Sequence, residues 1–295
     1  MRNLLTLISN AAAPALSDDI VTRYVARLEE VSAVSWLSEG VAVDIFFAGD
    51  LAAAKAELGA DLGAEDFDFG FQVAANRMKK LLVADMDSTI IQCECIDELA
   101  DFAGLKPRVS AITAAAMRGE LDFEAALRER VALLRGMDAR VLEEVYAERV
   151  RLTPGAETLI RTMNARGAAT VLVSGGFTFF TGRVAERTGF QVNRANVLEI
   201  RDGRLTGDIV GPVVDSSTKL NSLIEFRDKA GLGPQQTLAI GDGANDIPMI
   251  REAGLGVAYH PHPAAADAAD ITLRHADLTA LLYLQGYGDT DFVEA

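Results

Sequence analysis

The stretch "KKLLVADMDSTIIQCE", residues 79–94, decides how this chain is read. Leu81, Leu82, Val83 and Ala84 form an apolar run that ends abruptly on Asp85 and Asp87. A short run without polar alternation predicts a strand buried on both faces, as in a parallel sheet covered by helices. We place that strand at residues 81–85. Charge at the end of a buried strand is costly unless something compensates it. Residues two apart in extended chain point the same way, so both carboxylates can face the crevice beyond the strand's carboxyl end, where open parallel sheets collect ligands.

Further strands are expected at residues 169–174, 237–241 and 255–259, with a weaker one near Ile271. Two of them end in polar clusters, "SGG" (174–176) and "GDGAND" (241–246). Asp242 and Asp246 join Asp85 and Asp87 there, and the mutual repulsion of these acids calls for a cation. Oxygen-only donors select a hard ion, which points to Mg2+. Ser174, the Gly175 and Gly176 amides and Lys219 could surround an anion with donors and positive charge. The combination suits a phosphoryl group, and with no catalytic histidine evident a carboxylate is the natural nucleophile.

The chain of 295 residues, with 49% hydrophobic and 24% charged residues, has room for two domains or for one large α/β domain with an insertion. A net charge of −15 argues against broad binding of nucleic acid or anionic membrane. Cys93 and Cys95 are the only cysteines, which excludes a disulfide framework and a cysteine-only zinc site. The N-terminal apolar segment is followed at once by acidic residues, and no run approaches the ~20 apolar residues of a membrane span. We expect a protein of the reducing cytoplasm.

Residues 1–78 read as a separate unit with the order β-α-β-β-α-β, that of a ferredoxin-like α+β module. Residues 79–295 read as a doubly wound α/β domain. More helical signals lie between its first two strands than one crossover requires, so residues 93–152 are taken as an inserted helical cap. Asp202-Gly203 between β-like arms signals a hairpin.

Blander readings of these motifs fail on particular residues. The Asp85-x-Asp87-x-Thr89 pattern opens like an EF-hand loop, but that loop needs Gly and Glu where Ile90 and Ile96 stand. "GDGAND" has Asp246 where a dinucleotide fingerprint has its third glycine. His260 and His262 lie in a proline-flanked loop without a nearby acidic partner.

Taken together, "DMDSTI", "VSGG", Lys219 and "GDGAND" resemble the four signature segments of the haloacid dehalogenase (HAD) superfamily of phosphohydrolases, in order and at the expected spacings. More narrowly, "DSTIIQCECIDELA", "MRGELDFEAALRERVALL" and "SGGF" are similar to the phosphoserine phosphatase family. The N-terminal unit is similar in outline to amino-acid-binding ACT modules. The resemblance implies a Rossmann-like core with a helical cap and magnesium-dependent hydrolysis of O-phospho-L-serine, the last step of serine biosynthesis by the phosphorylated route. Asp85 would be the nucleophile and Asp87 the general acid and base. The metal would be bound by the Asp85 and Asp242 carboxylates and the Asp87 main-chain oxygen, with Asp246 orienting ligands and water. Ser174, Gly175, Lys219 and Asn245 would hold the phosphoryl group, Glu94 the substrate ammonium and Arg130 its carboxylate, with Met117 and Phe123 closing above. The alternatives are a related phosphatase or phosphotransferase acting on another small phosphomonoester, or an amino-acid-sensing regulator acting through the N-terminal module; a module that binds no amino acid would instead be structural, as a homodimer contact.

Overall fold

The computed structural model describes residues 3–118 and 120–294. The first elements are β1 (Asn3–Ile8), α1 (Asp18–Val25), β2 (Ala33–Ser38), β3 (Ala42–Phe47), α2 (Leu51–Leu62) and β4 (Asp68–Val73). The Ser17 side chain caps α1 and the Asp50 side chain caps α2. The strands form an antiparallel sheet in the order β2-β3-β1-β4. That is the ferredoxin-like arrangement expected from the element order. Leu5, Leu7, Val43, Ile45 and Phe47 face Tyr24, Leu58 and Leu62 of the helices in a core of their own.

The second sheet begins with β5 (Leu81–Ala84). Four helices follow: α3 (Cys95–Phe102), α4 (Lys106–Met117), α5 (Phe123–Leu133) and α6 (Val141–Glu148). The chain then runs through α7 (Ala156–Ala165), β6 (Ala169–Phe177), α8 (Thr178–Thr188), β7 (Val192–Arg201), β8 (Arg204–Val210) and α9 (Ser216–Lys229). It ends with β9 (Thr237–Gly241), α10 (Ile247–Glu252), β10 (Gly256–Tyr259), α11 (Pro263–Ala268), β11 (Ile271–Leu273) and α12 (Ala280–Leu284). The sheet order is β11-β10-β9-β5-β6-β7-β8, parallel except for the β7-β8 hairpin. From the central β5 the chain winds outward through β6 and β7, then returns to the other side of β5 as β9, β10 and β11. The reversal leaves a crevice at the carboxyl ends of β5, β6 and β9.

Every side chain of β5 is buried, because alternate residues serve opposite faces. Leu81 and Val83 pack with Leu223 of α9 and Met249 of α10. Leu82 and Ala84 join the larger core that holds Leu159, Ile160 and Met163 of α7 and Leu281 of α12. The strand stops at Ala84, one residue short of the expected end, although the Asp85 N–H still reaches Ile240 O at 3.0 Å. Strand β7 has a first half not anticipated from sequence: Val192, Asn193 and Arg194 pair in parallel with β6 before the chain enters the hairpin. This half lies mostly at intermediate burial, so its residues carry neither a continuous apolar run nor clean alternation.

The segments entering and leaving the four helices run side by side: Gln92 N–H donates to Arg151 O and Thr153 N–H to Ile90 O, at 3.0 and 2.9 Å. The two sheets are joined by polar contacts. Arg77 donates both to Asp44, at 2.6 and 3.1 Å, and to the carbonyls of Tyr283 and Leu284. Asp68, buried at the start of β4, accepts N–H bonds from Arg274, His275 and Ala276 at 2.7–3.0 Å. Removing one partner leaves buried donors unsatisfied, at ~1–3 kcal/mol each. Asp68→Ala is therefore expected to lower unfolding stability by about 3 kcal/mol in urea titration. A change below about 0.5 kcal/mol, the range of an ordinary surface substitution, would contradict the assignment.

Candidate active site

The floor of the crevice is made where β5 ends. Past Asp85 the chain enters a tight turn over Met86–Ile90, with Asp87 extended and Ser88 in the left-handed region at φ 55°. A left-handed serine costs on the order of 1 kcal/mol. Here the turn brings two side chains to bear: Ser88 Oγ donates to Glu94 Oε1 at 2.8 Å, and Asp87 Oδ1 accepts the Cys95 N–H at 2.9 Å. Cys95 opens α3, whose N-cap residue Glu94 makes no capping bond. The Asp87 carboxylate thus supplies an acceptor at this helix start, where exposed N–H groups and the dipole favour an anion. Its other oxygen accepts from Ser174 Oγ at 2.9 Å, and Ser174 in turn accepts the Gly176 N–H at 2.8 Å.

Beneath Asp85 lies Lys219, in the first turns of α9, whose N-terminus is capped by Asp215. Its ammonium sits 2.7 Å from Asp85 Oδ1 and 2.7 Å from Asp246 Oδ1, with all three side chains buried. Burial alone would lower Lys219, but Asp246 and Asp85 outweigh it and hold the ammonium above its ordinary range. Asp246 Oδ2 accepts the N–H groups of Asp242 and Gly243, both at 3.1 Å, so both Asp246 oxygens are occupied. This packing requires Gly241, since a Cβ there would fall 2.2 Å from Asp246 Cγ.

Asp85 and Asp242 are differently placed. Burial, followed by the charge of Asp246, pushes Asp85 up to about 7 against the pull of Lys219. Burial and the Asp246 and Asp85 charges push Asp242 well above the carboxylate range. Among the described residues, Asp242 Oδ1 has only a long contact from Thr89 Oγ1, at 3.3 Å. Asp85 Oδ1 meets the Lys219 ammonium at 2.7 Å and, among the described residues, has no other polar partner. Oxygens of Asp85, Asp242 and Asp246 come within 4.8 Å of one another. Two under-bonded buried carboxylates held close together fit a divalent cation, whose charge would relieve the repulsion that raises them.

Above this floor is a cleft. Asp85, Asp87, Glu94, Arg130, Ser174, Gly175 and Asn245, named separately from the sequence, all line it, while Lys219, Asp242 and Asp246 lie beneath. Asn245 Oδ1 is buried and has no hydrogen-bond partner among the described residues. Phe123 covers Gly175 so closely that a Cβ there would meet its ring at 2.5 Å. Arg130 is buried, and desolvation lowers its guanidinium despite Glu94, Asp97 and Asp87 nearby. Glu94 is raised well above its usual range by burial and by the Asp87 and Asp242 charges. The Met117 side chain lies outside the described residues. Sequence reasoning missed Ile96, Leu127 and Phe177, which also line the cleft, and Thr89. Thr89 stands inside the signature segment and could have been found; the three apolar residues read only as core.

The sequence profile of the haloacid dehalogenase-like hydrolases matches residues 82–251. This chain belongs to that family. The hydrolase is 48% identical over 210 residues to a phosphoserine phosphatase of Polaromonas, covering 70% of this chain and 89% of the relative. A crystal structure of an HAD-family hydrolase from Salmonella enterica serovar Typhi superposes with a TM-score of 0.82 at 27% identity, over 96% of this chain and 98% of that one. A phosphoserine phosphatase solved as a phospho-aspartyl intermediate analogue superposes at 0.67 with 39% identity, over 70% of this chain and 98% of its own.

Loss of a group that orients ligands typically costs 10–100-fold. Asp246→Asn, which keeps the shape but removes the charge holding Lys219, is expected to lower phosphatase activity by about 10–100-fold. Activity within about twofold of the parent, at unchanged thermal stability, would contradict the role given to Asp246.

Proposed function

We propose that this hydrolase removes the phosphate of O-phospho-L-serine, releasing L-serine and inorganic phosphate, as the closing step of the phosphorylated route to serine in the cytoplasm. The observation that carries this reading is one cleft holding an under-bonded carboxylate, Asp85, together with an acid and a guanidinium, Glu94 and Arg130, that do not pair with each other. A phosphate at the floor leaves an amino-acid zwitterion between the two charges. The relatives named phosphoserine phosphatase support the same substrate, and the phospho-aspartyl analogue of one of them supports the intermediate.

The Asp85 carboxylate attacks phosphorus, and the bond to the serine oxygen breaks as an aspartyl-phosphate forms. Asp87, held between the α3 start and Ser174, gives its proton to the departing oxygen. It then takes a proton from the water that attacks the aspartyl-phosphate, which regenerates Asp85 and frees phosphate. Lys219, Ser174, the Gly175 amide and Asn245 hold the phosphoryl oxygens. The Asp85 and Asp242 carboxylates and the Asp87 main-chain oxygen would hold the divalent ion, Mg2+ by the hardness of the donor set. When bound, that ion would neutralise charge on the phosphoryl oxygens. Glu94 receives the ammonium, while Arg130 presents a planar fork to the carboxylate. Phe123, Leu127 and Ile96 close the roof and exclude water.

Turnover of phosphoserine, phosphothreonine, phosphohomoserine and a sugar phosphate, followed as released phosphate, is expected to favour phosphoserine at least tenfold in kcat/KM, about 1.4 kcal/mol. Equal rates across the panel would contradict the substrate assignment. Asp85→Asn preserves size but removes the nucleophile and is expected to cost about 1000-fold or more in kcat. Chelation should abolish turnover and added Mg2+ restore it; an unchanged rate in chelator would remove the metal from the account.

A further inference from the structure

Arg130 and Glu94, a base and an acid, line the same cleft, yet among the described residues no ion pair joins them. Something must keep the guanidinium in place. Its Nε donates to Ala126 O at 3.1 Å, one turn back on α5. Its Nη1 donates to Thr113 Oγ1 of α4 at 3.0 Å, and Thr113 Oγ1 donates to Asp97 Oδ1 of α3 at 2.6 Å. Arg130, Thr113 and Asp97 are all buried. A hydroxyl has one proton to give, and the shorter bond assigns it to Asp97 in preference to Val109 O at 3.1 Å. The Thr113 lone pair is thereby left to receive Arg130. The chain carboxylate, hydroxyl, guanidinium has a fixed direction and ties three helices together. With the bond to Ala126 O it occupies two of the five guanidinium N–H groups, and among the described residues the remaining three have no protein acceptor.

Helix α3 also carries Glu94 at its N-cap, one turn from Asp97. A single helix therefore holds both the acid for one end of a zwitterion and the counter-charge that anchors the receiver for the other. We infer that Asp97 and Thr113 are positioning residues that lock Arg130 at a set separation from Glu94 and so set the enzyme's preference for a substrate bearing an α-amino acid group. This rests on the reading of Arg130 given above and goes beyond it by naming what fixes the guanidinium. Neither residue touches the cleft, since neither is among its lining residues.

The test compares kcat/KM for phosphoserine with that for ethyl phosphate, which has neither ammonium nor carboxylate, in the full chain and in Thr113→Val, Thr113→Ser, Asp97→Asn and Arg130→Ala. Valine has the shape of threonine without the hydroxyl. A lost hydrogen bond to a charged group corresponds to about a tenfold to hundredfold change. Thr113→Val is expected to lower the phosphoserine to ethyl phosphate ratio by about that factor, chiefly through a higher KM for phosphoserine. Thr113→Ser, which restores the hydroxyl, should recover most of the ratio, and Asp97→Asn should fall between. A defect that merely loosened the helices would lower both substrates together and leave the ratio unmoved, and that result would overturn the inference. If Arg130→Ala collapses the ratio and Thr113→Val does not, the relay fails while the substrate reading survives. If Arg130→Ala leaves the ratio intact, the role of Arg130 fails and the relay with it.

Discussion

The site depends on one buried cation shared by two carboxylates. Lys219 sits between Asp85 and Asp246 in surroundings where an unpaired charge would be costly. Each element that meets there is fixed by it: β5 brings Asp85, the turn after β9 brings Asp246, and α9 brings the lysine. Asp246 carries the constraint onward by binding the amides of Asp242 and Gly243, so the loop that presents Asp242 cannot shift without disturbing Lys219. The charge count explains the rest. One ammonium does not neutralise Asp85, Asp242 and Asp246, and burial with repulsion raises Asp85 and Asp242. A site held in this state has a standing affinity for a cation and, through it, for a phosphoryl group.

The coupling between floor and roof follows from the turn at Asp87. A single carboxylate accepts the first N–H of α3 and the hydroxyl of Ser174, so the group assigned to proton transfer is also the link between the sheet and the helices above it. Ser88, in its left-handed conformation, hands Glu94 a hydrogen bond from the same turn. Few residues are therefore needed to keep chemistry and recognition in register, and they lie within one short segment, 85–95.

Much of this was legible in the sequence because the informative features are local. An apolar run ending on acids, glycine pairs after strands and a lysine opening a helix each have a physical reason that survives without coordinates. The ferredoxin-like order of the first six elements was readable for the same cause: apolar runs of strand length alternate with two helical segments. The boundary at Ala84 was not, because the Asp85 amide continues the ladder and Asp85 itself stays extended, so the turn begins only at Met86. The first half of β7 was hidden by its polar, half-exposed residues. Thr113 and Asp97 carried no signal at all, since they lie 16 positions apart and meet only when two helices pack. Arg130 could be singled out from its neighbours Arg128 and Arg135 only by resemblance. In the structure Arg128 pairs with Glu124 and Arg135 lies near Asp208, both exposed, while Arg130 alone of the three is buried at the cleft.

The central claim is that Asp85 becomes bonded to phosphorus during turnover. The most direct measurement is an acid quench at millisecond times after mixing the metal-loaded protein with phosphoserine labelled in its phosphate, followed by peptide mapping. The account predicts label on the peptide containing Asp85, appearing before free serine reaches its steady rate and absent from Asp85→Asn. Protein that stays unlabelled while phosphate is being released, or label that persists in Asp85→Asn, would contradict it.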